Sequence, residues 1–523
     1  MFITKFHIVI ITVLTCSVAA GSRILGLFAT YSKSHMLLHC TVAEQLARVG
    51  HDVTVIGIIE NVYPNAAYKY IHLQLPDGGI IDDKALKSLI NTRHSFVKSL
   101  FVTTAEYLRM ANETLWQPKM REFLNENRAN AFDLLLFAYV MNDFQMGLAA
   151  HFQCPIVVLW VVRPALQING FVGNPLEMAY VPNISSHLQQ PLVFLQRVKN
   201  CITTWLEFAL MAYLDYRTQQ LYDYNFPSDR YPPLDEVRKN VSLIFTNHHF
   251  SQGPIRPNVP NLIEIGGIQI KEKPDPLPTD IAKVLDESKE GVIYFSLGSN
   301  IKGSHLNEEK IKIMFNVISK LPYKVLWKWS PTELPGESKN IIFRDWLPQD
   351  DILAHPNVKL FITHGGMGSV VESQYHGVPM VGIPLFGDQP SNMVNVERSG
   401  YGLAVDYLTL SEESLNNAIQ DVLNNPKYKE AVQTFSRLYR DRPMTPRETV
   451  VYWVDYVLRH KGAKHMQSPA VHMNRWQLLS LDVIGFLLAI VLTISVVIVK
   501  VCKLICCRGR KNKLPKVEKA KKN

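Results

Sequence analysis

Residues 346–389 concentrate side chains that can hold a phosphorylated ligand. The stretch opens Trp346-Leu-Pro-Gln349 and continues Phe361-Ile-Thr-His364-Gly365-Gly366-Met-Gly368-Ser369-Val-Val-Glu372. It closes Pro384-Leu-Phe-Gly-Asp388-Gln389. The apolar run 359–363 predicts a buried strand, and Ser369 onward predicts a helix. Glycines in the turn between them let backbone N–H groups approach an anion, and the helix N-terminus adds roughly half a positive charge. A diphosphate suits that chemistry, with His364 and Ser369 as further hydrogen-bond donors. Glu372, one turn into the helix, can accept from ribose hydroxyls, and Trp346 offers a face on which a base can stack. Asp388 and Gln389 follow a strand end, which places them at the carboxyl edge of a sheet, where ligands bind. Taken alone, a glycine-rich strand–helix turn serves a purely structural purpose almost as well.

A second candidate stands near the start of the chain. Ser34-His35 follows the apolar run 23–28. With an ordinary pKa of about 6.5, a neutral imidazole there can take a proton from a hydroxyl near pH 7. His39, four residues on, is expected to be structural.

The elements that must position these residues alternate between strand and helix. Strands are expected at 23–28, 53–58, 132–137 and 156–161, with a helix through 43–49. The segment 191–224 is rich in aromatic and aliphatic residues (Trp205, Phe208, Tyr213, Tyr216). It reads either as helices packed on a sheet or as an acceptor-pocket wall that also touches a membrane. Three prolines within 271–280 predict a stiff, extended linker. After it come strands at 292–296, 323–329, 358–363 and 380–383 and a helix at 308–319. Two alternating halves imply two doubly wound α/β domains facing a cleft. The expected organisation is a signal peptide at 1–20, an acceptor-binding domain at 21–270, a linker at 271–287 and a nucleotide-binding domain at 288–447. A helix and lead-in at 448–475, a transmembrane helix at 478–499 and a basic tail at 500–523 complete it.

Composition agrees with that plan. The chain is 47 % apolar and 19 % charged, enough for large cores. Its net charge of +9 sits in residues 500–523, which hold ten basic residues and one acid, Glu518. A neutral body with a basic tail argues against nucleic-acid binding and for a membrane-flanking segment. The 22 apolar residues 478–499 would span about 33 Å, and the basic residues after them place the tail in the cytosol. An n-region, apolar stretch and small residues up to Ala20 read as a secretory signal, so everything between faces the lumen. Asn112-Glu-Thr, Asn183-Ile-Ser and Asn240-Val-Ser are sequons in that lumenal part. Cys40, Cys154 and Cys201, the lumenal cysteines, are too few for a disulfide scaffold and do not have metal-site spacing.

The ordered run 346–389, with its Trp…Gln opening, Thr-His-Gly-Gly core, Glu and closing Asp-Gln, resembles the donor-binding signature of the UDP-glycosyltransferases, which include the UDP-glucuronosyltransferases. Ser296-Leu-Gly-Ser299, Gly50-His-Asp-Val-Thr-Val55 and the segment 453–465 extend the likeness over nearly the whole chain. The resemblance implies a GT-B fold and these roles: Trp346 stacking on uracil, Gln349 on the nucleoside, and Ser299, His364, Gly366 and Ser369 on the phosphates and sugar. It implies Glu372 on the ribose and Asp388 and Gln389 on sugar hydroxyls. Gly368 departs from the family, many members of which carry Asn there.

By the same resemblance His35 is the general base for inverting transfer of a hexosyl or hexuronosyl group to a small lipophilic hydroxyl compound. UDP-glucose or UDP-glucuronate is the co-substrate, with no cofactor and no metal. The family's partner carboxylate aligns with Ala138, and Asp143 is the nearest acid that could replace it. A relative that binds UDP-sugars without turnover is therefore the alternative. A two-Rossmann dehydrogenase is disfavoured, since no Gly-x-Gly-x-x-Gly opens the first domain. Lysines three and five places from the end resemble retrieval signals, so a type I endoplasmic-reticulum membrane protein is expected, in contact with membrane lipid; a homo-oligomer is left open.

Overall fold

The computed structural model describes residues 21–75, 83–91, 96–186, 188–299 and 301–511. The expected signal peptide and the tail lysines Lys519 and Lys521 lie outside them. Residues up to Gln467 form one compact unit, and the residues from Ser468 form a second.

The first unit holds two parallel sheets. One comprises β1 (Arg23–Phe28), β2 (Asp52–Gly57), β3 (Lys69–His72), β4 (Leu134–Ala138), β5 (Ile156–Trp160), β6 (Val241–Thr246) and β7 (Leu262–Glu264), in the order 3-2-1-4-5-6-7. The other comprises β8 (Val292–Ser296), β9 (Lys324–Lys328), β10 (Ile341–Arg344), β11 (Val358–Thr363), β12 (Met380–Gly382) and β13 (Gly402–Ala404), in the order 10-9-8-11-12-13. Helices cover both faces, so the central strands are mostly apolar; all five residues of β4 and of β8 are buried. Alternate residues enter different cores. Leu25, Leu27, Leu135 and Phe137 join one, while Ile24, Phe28, Leu134 and Leu136 join the other. The second sheet divides likewise, with Phe295 and Trp327 on one face and Tyr294 and Phe361 on the other.

Three features refine the expected organisation. Only the proline-rich start of 271–287 is extended. Thr279–Glu287 is a helix whose Ile281 and Leu285, one turn apart, are buried in the second domain's core. The segment 448–475 is not simply a lead-in. Its helix Pro446–Arg459 starts with a reciprocal cap between Thr445 and Glu448. It buries Val450, Val454 and Val457 in the core of the first sheet. His51 Nε2 and Asp455 Oδ1, 3.0 Å apart, fix the join. The helix Asp83–Asn91 crosses the other way, from the first domain into the core of the second through Leu86 and Ile90. Asn91 Nδ2 donates to the His305 carbonyl at 2.8 Å.

The aromatic segment forms one 32-residue helix, Phe194–Asn225. Packing against a sheet does not account for it, because Phe194, Leu195, Leu206 and Tyr216 are all exposed. In the second unit, the helix Leu481–Lys511 includes an apolar segment, Leu481–Ile505, long enough to cross a membrane and wholly unburied. It starts three residues later than the expected 478, since Ser480 is left-handed (φ 52°) and breaks the preceding turn.

Trp327 is fully buried and stacks on Phe295 with ring centroids 4.4 Å apart. Trp327→Ala should cost about 3–5 kcal/mol in denaturant unfolding, whereas Trp205→Ala, on the exposed helix, should change stability by about 0.5 kcal/mol or less.

Candidate functional site

Strand order reverses between β8 and β11, and that reversal fixes where a ligand can sit. Ser296 pairs with Thr363 at the carboxyl edge, so the loops 297–299 and 364–366 leave the sheet side by side. Gly298, next to Ser299, and His364 therefore come together although 66 positions apart in sequence. Their approach depends on glycine. A Cβ on Gly298 would lie 2.8 Å from His364 Nε2, and one on Gly366 would lie 2.6 Å from it. The imidazole is clasped between two residues that lack side chains. Its Nδ1 is buried without a partner, and burial, helped by Lys328, lowers its pKa to about 4. His364 is thus neutral at pH 7 and can donate one hydrogen bond.

Gly366 caps the helix Met367–His376. The N–H groups of its first turn have no intrahelical acceptor. Gly368 sits in that turn, and a Cβ there would meet nothing within 4 Å. Ser369 and Glu372 project from the same helix toward Gln349, the first residue of the helix Gln349–Leu353. Gln349 Nε2 donates to Ser369 Oγ at 3.1 Å and to Glu372 Oε2 at 2.6 Å. Tyr294 donates to Gln349 Oε1, and Gln269 donates weakly to Glu372. Loss of hydration, with Asp350 adding to it, raises the Glu372 carboxyl to about 8. Trp346 is 63 % exposed, which leaves a ring face free for stacking.

Asp388 caps the next helix, Gln389–Arg398. Its Oδ2 accepts from Asn392 Nδ2 at 2.7 Å, and burial raises its pKa. Gln389 Oε1 accepts from the backbone N–H groups of Leu385 and Phe386 at 2.9 and 3.1 Å. Only its amide nitrogen is left for a ligand.

The first sheet has the same reversal, between β1 and β4, with Leu27 level with Phe137. His35 lies in the first turn of the helix Lys33–Arg48 that follows β1. Its Nδ1 is covered and unpartnered, and loss of hydration alone takes its pKa to about 4. His39, fully inside against Phe28, is lowered further. Asp143 does not serve His35. The turn after β4 places it beside Arg238, whose Nε (2.7 Å) and Nη2 both bind its carboxylate. The expectation that Asp143 replaces the carboxylate missing at Ala138 is corrected accordingly: a nearly buried carboxylate takes the nearest guanidinium. Burial, with Lys33 adding to it, lowers the pKa of Lys328, so the start of the His35 helix lies near the end of β9.

Residues 26–516 match the family described as UDP-glucoronosyl and UDP-glucosyl transferase. The chain belongs to this UDP-glycosyltransferase family. It is 35 % identical to UDP-glycosyltransferase UGT5 of Dactylopius coccus, covering 97 % of this chain and 98 % of that one. It is 34 % identical to human UDP-glucuronosyltransferase 2B15, with 97 % of each covered. Its fold is that of the crystal structure described as the glycotransferase of kitacinnamycin, with a TM-score of 0.55 at 16 % identity over 84 % of this chain and 99 % of that one. The two facing parallel sheets are the GT-B arrangement of this glycosyltransferase family.

Two residues of this UDP-glycosyltransferase's cleft are not evident from its sequence motifs. Lys328 ends β9, where its Nζ donates to the Gly298 carbonyl at 2.9 Å and lies 5.8 Å from the Trp346 ring centre. The strand-end rule applied to Asp388 could have found it. Gln269 reaches Glu372 from a segment with no motif at all.

Two outcomes test this site. Gly298→Ala adds a clash with His364 and a Cβ at φ +88°, so calorimetric affinity for UDP should fall about tenfold or more. The folded protein keeps the proton of Glu372 where the unfolded chain has lost it. That contribution to stability is complete below pH 4.5 and is lost as the pH rises through about 8. Glu372→Gln cannot ionise, so its thermal midpoint should gain on the native protein's between pH 5 and 8; a gap that stays constant would contradict the assignment.

Proposed function

We propose that this UDP-glycosyltransferase moves a hexosyl or hexuronosyl group from a UDP-sugar to the hydroxyl of a small lipophilic acceptor, inverting the anomeric carbon. The observation that carries the reading is the chain Gln349–Ser369–Glu372 beside the glycine clasp on His364, at the point where strand order reverses. Uracil stacks on Trp346, the ribose hydroxyls exchange with Gln349 for Glu372, and the diphosphate takes the free N–H groups ahead of the helix Met367–His376. Lys328 adds charge at the leaving phosphate, and no metal enters the scheme.

His35 acts as the general base. The acceptor oxygen attacks the anomeric carbon as its proton passes to the imidazole, and the bond from that carbon to the β-phosphate oxygen breaks with its electron pair leaving on UDP. An imidazole with a pKa of about 4 is a weak base. It favours acidic hydroxyls such as phenols, whose proton is already loosely held. The proposed setting is the lumenal side of the endoplasmic reticulum, anchored by the segment Leu481–Ile505.

A second reading, binding of UDP-sugars without turnover, draws on the same facts: His35 Nδ1 has no partner, and Asp143 is committed to Arg238. Membranes expressing the chain, given UDP-glucose or UDP-glucuronate with a phenol panel, separate the two by UDP release. In the catalytic reading His35→Ala should lower kcat about 100-fold or more with UDP affinity retained. Since His35 charges only near pH 4, kcat/KM should stay level from pH 8 to about 5. A descending limb centred near pH 6.5 would contradict His35 as an unassisted base.

A further inference from the structure

Arg163 has no part in the scheme above. It follows β5 at the carboxyl edge of the first sheet, where Trp160 Nε1 donates to its carbonyl at 2.9 Å and fixes the backbone. Its guanidinium makes no hydrogen bond or ion pair with any described residue, and the side chain is half-buried. A second guanidinium stands beside it. Arg256 Nη1 binds the Pro164 carbonyl, while Arg256 Nε is buried without a partner. Each cation of this pair faces one acid, Asp388 for Arg163 and Glu264 for Arg256. Neither acid closes an ion pair, because no carboxylate oxygen of a described residue comes within 4.0 Å of either guanidinium.

The surroundings locate this pair in the cleft. Gln189 Nε2 donates to Asn395 Oδ1 at 3.0 Å, and Ser391 Oγ donates to the Ile184 carbonyl at 3.4 Å. The loops that follow Arg163 are thereby tied to the helix Gln389–Arg398, which Asp388 caps. On the proposed function, phosphates have their own donors around His364 and Gly366.

Two adjoining guanidinium groups that have lost water and gained no anion are unfavourable until one binds. The planar fork of arginine matches a carboxylate in shape and charge. We infer that Arg163, supported by Arg256, binds a carboxylate at the junction of donor sugar and acceptor. It belongs either to a hexuronic acid donor or to an acidic acceptor. The inference rests on the reading that places the sugar at Asp388.

The test compares full-length native protein with Arg163→Gln and Arg163→Lys in detergent. UDP-glucuronate or UDP-glucose is paired with 4-nitrophenol or 4-hydroxybenzoate, and kcat/KM for UDP release is measured. The native protein should prefer a carboxylate-bearing pair over its neutral counterpart. Arg163→Gln should reduce that ratio about tenfold or more, and Arg163→Lys by less, because it keeps the charge without the fork. A loss confined to UDP-glucuronate assigns the carboxylate to the sugar, and a loss confined to hydroxybenzoate assigns it to the acceptor. An unchanged ratio, or an absence of preference in the native protein, overturns the inference while leaving UDP-sugar transfer intact. If no pair turns over, calorimetric affinities for the same donors and for hydroxybenzoate decide between the same outcomes. Protein that binds no UDP would instead remove the reading beneath it.

Discussion

Polar groups at the carboxyl edges of the two sheets have lost water without gaining full replacement, and the site depends on that imbalance. His35 Nδ1 and His364 Nδ1 are covered and unpartnered, Glu372 keeps its proton to about pH 8, and Arg163 has no counter-ion among the described residues. In a packed interior such groups are costly. Here they are gathered at the carboxyl edges of the two sheets, where, on the proposed function, a ligand with ribose hydroxyls, phosphates and a sugar supplies what is missing.

The same physics sets the character of the chemistry. A carboxylate beside His35 would raise its basicity and hold its tautomer. This chain has committed the nearest acid elsewhere, since Asp143 and Arg238 form a nearly buried pair that stabilises the edge of the first domain. His35 is therefore neutral over a wide pH range but weak. On the proposed role of His35, acceptors are selected by their acidity rather than by the strength of the base.

The two domains are less separate than a linear division of the chain implies. The helix Pro446–Arg459 returns to the first sheet, and the helix Asp83–Asn91 enters the second core. Each domain is completed by a piece of the other half. The cleft between them is consequently framed on both sides by packed helices as well as by the proline-rich connection, whose Lys271 is itself tied to Asp351 at 2.7 Å.

What the amino-acid sequence determined by itself was whatever has a short period or a dense local motif. The apolar runs of β1, β8 and β11 are buried on both faces, so their limits were legible to the residue, and the glycine-rich turn announced the helix that follows it. Strands β3, β7 and β13 were not legible, because three or four residues at a sheet edge carry too little periodicity to be distinguished from a loop. Partnerships were equally hidden. Gln349 reaches Glu372 only because two helices converge, Asp143 turns to Arg238, and Arg163 comes within the electrostatic reach of Asp388 across 225 positions of sequence. Charge, donor count and backbone freedom are properties of a residue and survive in the sequence. Which water each group loses, and which neighbour replaces it, is decided only when the chain is packed in three dimensions.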